Sequence, residues 1–128
     1  PYVFLQETWL EAIEIRPDVL SLLIGVNDTI QFQKGASKLS DSEFAEHYAW
    51  LVDSLRAENP SMAVVLMEPF LLEVGEVTRD WIRHLEPRQK FVRDYAAHCG
   101  AAFIPLQSLF EAASERAPAE FWAYDGIH

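Results

Sequence analysis

With 128 residues, half of them hydrophobic, and a formal net charge of −10 from ten basic and twenty acidic side chains, the chain suits one domain with a buried core. That charge, with no Lys/Arg cluster, makes it a poor partner for nucleic acid or an anionic membrane surface. A single cysteine, Cys99, excludes an intrachain disulfide, which fits a reducing compartment without requiring one, and no apolar run approaches the roughly 20 residues that span a bilayer.

The chain starts at Pro1 rather than Met and so reads as an excerpt or a processed product, with any targeting signal lost upstream. Leu5, Trp9, Ala12 and Ile13 form a helical stripe that Pro17 closes. Residues 19–24 are nearly unbroken aliphatic, the pattern of a strand covered on both faces of a parallel sheet. That strand stops on Gly25-Val26-Asn27-Asp28, and residues 31–38 read as a charged loop. Ser40 and Glu43 then form a capping box for a helix whose buried face carries Phe44, Tyr48, Leu51, Val52 and Leu55.

Residues 62–67 form the second buried strand, followed by Glu68-Pro69-Phe70-Leu71-Leu72. After a polar loop, Trp81, Leu85, Phe91, Val92, Tyr95 and Cys99 mark a helix, restarted at Pro87 and ended by Gly100. Residues 101–105 are the third strand, and Ser108 with Glu111 reads as a second capping box. One further helical turn fits residues 118–122, before Tyr124-Asp125-Gly126-Ile127-His128. Strands alternating with helices predict an α/β fold: a parallel sheet with helices on both faces, a three-layer sandwich. Three strands make a small sheet, as though part of it were missing.

Ligands bind such sheets at the carboxyl ends of the strands, where Asn27 and Glu68 fall. The Asn27 amide is a neutral hydrogen-bond donor at any working pH, which suits a developing oxyanion. Gly25 would permit close approach of the backbone, and Asp28 could brace the loop, although Gly-Val-Asn-Asp also fits an ordinary turn. Asp125 and His128 stand three residues apart across a glycine, so the carboxylate can orient the imidazole as the base half of a hydrolase triad. An Asp-Gly turn with an incidental histidine explains the same residues. His47 and His98 fall in helices and read as surface or half-buried residues, and His84, near Trp81 and Arg83, is no better placed. Glu68, Phe70 and Trp122 are candidates to line a substrate pocket, with loop bracing and core packing as their plainer roles.

Gly25-Val26-Asn27-Asp28 and Asp125-Gly126-Ile127-His128, in that order, resemble the third and fifth blocks of the SGNH hydrolases, the GDSL-type esterases and lipases. Arg16-Pro17-Asp18-Val19-Leu20, Glu68-Pro69-Phe70 and the approach Trp122-x-x-Asp125-Gly126 also resemble that family, so the likeness covers essentially the whole chain. It implies a flavodoxin-like sandwich and an acyl-enzyme mechanism on small, lipid or carbohydrate esters, with His128 as base, Asp125 as its orienting acid and Asn27 as oxyanion donor. It implies no metal and no cofactor.

The family's Gly-Asp-Ser block, which bears the nucleophile, has no counterpart here; Ser40-Asp41-Ser42 reads as a helix cap. Residues 1–128 are therefore expected to be the C-terminal portion of one SGNH domain, inactive alone and prone to self-association, with an upstream segment as partner. A metal-assisted phosphoesterase using Asn27, Asp28, Asp125 and His128 as ligands, and a non-catalytic α/β binding module, are the alternatives.

Overall fold

The computed structural model describes residues 2–36 and 39–128, the side chains of residues 2–8 excepted. Its elements are α1 (Tyr2–Ile15), β1 (Val19–Leu22), α2 (Val26–Gln33), α3 (Asp41–Glu58), β2 (Ala63–Met67), α4 (Arg79–Cys99), β3 (Ala102–Ile104), α5 (Leu106–Ser114) and α6 (Ala119–Trp122). The strands form one parallel sheet in the order β1-β2-β3, with Leu20 opposite Val64 and Leu66 opposite both Leu22 and Phe103. This is the α/β architecture with three parallel strands that the alternating pattern predicts.

The period of two divides the sheet into unequal faces. Val64 and Leu66 are buried and pack, with Leu20, Leu22 and Phe103, against Phe44, Tyr48, Leu51, Val52 and Leu55 of α3 and Val92, Tyr95 and Ala96 of α4. Trp9, Ala12 and Ile13 of α1 extend that core, and Trp9 meets Trp50 of α3 at 5.9 Å between ring centroids. On the opposite face Val19, Ser21, Ala63 and Ala102 are exposed. Among the described residues the aliphatic run at residues 19–24 is covered on one face only: β1 stands at one edge of the three-stranded sheet, with Val19 57% exposed and Leu23 41%.

The box at Ser40 forms as expected, with the Glu43 N–H donating to Ser40 Oγ at 3.2 Å and the Ser40 N–H to Glu43 Oε2 at 2.9 Å. Three further expectations are corrected by the structure. The expected loop at residues 31–38 begins later: residues 31–33 complete α2, 34–36 form a turn, and Ser37 and Lys38 lie outside the described residues. Helix α4 runs unbroken through Pro87; that residue is exposed, so water can reach the carbonyl one turn back that loses its N–H partner. The second capping box does not form, because Ser108 lies inside α5 and its hydroxyl donates to the Pro105 carbonyl at 3.1 Å. A longer-range group takes that place: Glu68 Oε2 accepts the Gln107 N–H at 3.0 Å.

Candidate active site

The first wall of the site is the junction of β1 and α2. Gly25 is the N-cap of α2 in the left-handed region, with φ 119°, a conformation glycine adopts without steric cost. A Cβ there would lie 3.2 Å from Phe44 Cζ and 3.4 Å from Pro69 Cγ. Gly25 is thus a packing requirement beneath the turn. Asn27 follows in the first turn of α2, exposed, and its amide has no hydrogen-bond partner among the described residues. Among the described residues Asp28 makes no side-chain hydrogen bond that braces the turn; its carboxylate lies in the first turn of α2, where the helix dipole favours negative charge.

The second wall is the C-terminal loop. Gly126 has φ 83°, and its N–H donates to the Ala123 carbonyl at 3.0 Å. Its own carbonyl accepts the Leu72 N–H at 2.9 Å, which ties this loop to the one after β2. That second loop is held by the Gln107 amide, which accepts the Leu71 N–H and donates to the Leu71 carbonyl, both at 3.0 Å, and by Gln89 Nε2 donating to the Pro69 carbonyl at 3.0 Å.

Within the C-terminal loop, Asp125 Oδ1 accepts the N–H groups of Ile127 and His128 at 2.9 and 2.8 Å, and Oδ2 lies 2.9 Å from His128 Nδ1. An ionised carboxylate only accepts, so Nδ1 carries the proton and Nε2 keeps its lone pair in the neutral ring. The Tyr124 ring lies roughly parallel to the imidazole, 6.5 Å between centroids.

The two walls enclose a cleft of about 280 Å³ lined by residues 23–28, Phe70, Ile127 and His128. Asn27 and His128 thus share one cavity, 101 positions apart in sequence but adjacent in the fold. Among the described residues, no serine, threonine or cysteine lines it. Phe70 contributes an edge while stacking on Phe110 at 4.1 Å. Glu68 does not line the cleft: it is buried and committed to the start of α5. Trp122 is outside it too, packed edge-to-face on Phe121 at 5.0 Å. His84 is also elsewhere, its Nδ1 2.8 Å from the Asp80 carbonyl.

A family model described as GDSL-like lipase/acylhydrolase matches residues 3–128. The chain belongs to the GDSL-like lipase/acylhydrolase family. No curated protein matches it by sequence. Among solved structures it is similar to one described as a GDSL-like lipase from Parabacteroides merdae, with 30% identity and a TM-score of 0.91 over 98% of this chain and 59% of that one. It also shares its fold with Axe2, an acetylxylan esterase from Geobacillus stearothermophilus, at 24% identity and a TM-score of 0.71 over 97% of this chain and 57% of that one. This GDSL-like chain therefore spans less than three fifths of the length of those two solved proteins.

In the GDSL-like chain the hydrogen bond from the His128 ring, then those from the His128 and Ile127 N–H groups, hold Asp125 at about 2, below the ordinary 3.8. The anion thus contributes stability that is fully present above the unfolded value and is lost as pH falls through about 2. Carboxyl-carbon NMR of the full-length protein should show Asp125 titrating near that value, and moving upward in His128→Ala. Titration at the ordinary value in both proteins would mean that the pair is not formed in solution.

Sequence reasoning missed the support of this GDSL-like site more than its exposed groups. Arg88, Thr29, Gln89 and Gln107 act across long separations, and the one local sign was an arginine and a glutamine on the buried stripe of α4.

Proposed function

We propose that in the full-length protein this chain supplies the general base, its orienting acid and an oxyanion donor to a serine-type ester hydrolase, and that the nucleophilic serine comes from a segment outside these 128 residues. The observation that carries the reading is the cleft, which holds a donor amide with no partner among the described residues and a histidine oriented from behind by Asp125, with no hydroxyl or thiol on its described walls. Family membership supports acyl transfer as the reaction class.

The serine hydroxyl attacks the ester carbonyl while His128 Nε2 takes its proton, then returns it to the leaving alcohol. Asp125 stabilises the imidazolium in between. The Asn27 amide binds the oxyanion, assisted by the free N–H groups that open α2. Water then attacks the acyl-enzyme, with His128 again the base. No observation favours a metal-assisted phosphoesterase. Asp125 is committed to His128 and two N–H groups, and among the described residues no three His, Cys, Asp or Glu side chains converge as metal ligands.

Asn27→Ala tests the reading. In the full-length protein it should lower kcat on an aryl acetate by about 10²- to 10³-fold with little change in KM, because the lost donor acts mainly on charge that develops in the transition state. A variant with wild-type kcat would remove Asn27 from the mechanism.

A further inference from the structure

An exposed asparagine on the first turn of a short helix is a useful oxyanion donor only if that turn does not move, since a preorganised dipole stabilises charge without reorienting. The constraint on it starts on α4. Arg88 is 3% exposed; its Nη1 donates to Thr29 Oγ1 at 2.5 Å, its Nη2 to the Leu39 carbonyl at 3.2 Å, and its Nε lies 3.2 Å from Asp41 Oδ1. The guanidinium also lies 5.4 Å from the centroid of the Phe44 ring, the ring that closes the space beside Gly25.

Thr29, 1% exposed, passes the constraint on. Its hydroxyl donates to the Gly25 carbonyl at 3.0 Å, and that carbonyl also accepts the Thr29 N–H at 3.3 Å. The hydroxyl therefore has its proton on Gly25 and a lone pair on Arg88, which leaves it one orientation. Gly25 is where the chain could most easily swing, because glycine has no side chain to confine its φ. An apolar side chain at position 88 could fill the space with less desolvation cost. What arginine adds is a directional hold on Thr29 and, through it, on the Gly25 carbonyl.

We infer that Arg88 and Thr29 are positioning residues for Asn27: they lock the Gly25 turn and the start of α2, so that the amide stands in the cleft before charge develops on the substrate. The inference rests on the reading of Asn27 as an oxyanion donor.

A double-mutant cycle in the full-length protein separates the two. Thr29→Val keeps the shape and removes the hydroxyl; it should lower kcat on an aryl acetate about tenfold, with KM within about twofold, as for a displaced catalytic group. Thr29→Ser should recover most of that loss. In an Asn27→Ala background, Thr29→Val should cost less than about twofold, because a positioning residue has nothing left to position. Should Thr29→Val not fold, Arg88→Lys is read in the same cycle, since lysine keeps the charge and loses the fork that spans Thr29 and Leu39.

Wild-type kcat in Thr29→Val, or an equal loss with and without Asn27, overturns the positioning role, the latter pointing to a general effect on folding. An Asn27→Ala protein with unchanged kcat overturns the oxyanion reading beneath it.

Discussion

Replacing His128 by alanine in the full-length protein should lower kcat on an aryl acetate by about 10⁴-fold or more, while the fold survives. The size of the effect follows from the role: without the base, the serine hydroxyl must lose its proton to water, and the leaving alcohol has no positioned acid. Survival of the fold follows from exposure. The imidazole is 68% exposed, so truncation opens no cavity, and the backbone turn keeps both N–H bonds to Asp125. Steady-state kinetics with far-ultraviolet circular dichroism checks both parts. The residual rate from the oxyanion donors should remain above water, but no acyl-enzyme burst should appear. A variant within tenfold of wild type would take His128 out of the reaction.

Gly126→Ala should be the most damaging of the chain's glycine-to-alanine changes. At φ 83° an alanine is strained, and its Cβ would stand 2.4 Å from the Leu72 carbonyl oxygen, 2.9 Å from Val77 Cγ2 and 3.2 Å from the Val74 carbonyl oxygen. Two of these three are backbone atoms, which cannot rotate away. Strain and overpacking together should cost about 3 kcal/mol or more. The displaced loop also carries Asp125 and His128, so activity should fall with stability. Gly100→Ala is the control: it shares a left-handed φ of 66° but meets nothing within 4 Å, and should cost only about 1 kcal/mol. Urea midpoints of the two variants give the comparison, and equal losses would mean that contact at Gly126 does not matter.

What could be read from the sequence was local. The capping box at Ser40 and Glu43, the buried stripe of α3 and the approach of Asp125 to His128 all depend on residues three or four apart, and all are present in the fold. The placement of Asn27 at the end of β1 was legible because an aliphatic run stopped on glycine. That it sits in a helix was not, since Val26–Gln33 is mostly polar and its first turn is held by an arginine 59 residues away. For Glu68 the pattern left pocket lining and loop bracing open, and the fold shows bracing, because its partner, the Gln107 N–H, is 39 residues distant. The aliphatic run of β1 suggested burial on both faces, whereas pattern alone cannot tell which layers these residues themselves provide.

In the proposed mechanism Asn27 and His128 serve a serine from outside these 128 residues. The direct measurement is to label the full-length protein with a fluorophosphonate and map the modified residue by mass spectrometry, alongside the 128-residue chain alone. One labelled serine beyond this sequence is expected, and no label on the isolated chain. A label on any of the eight serines present here, in either sample, would contradict it.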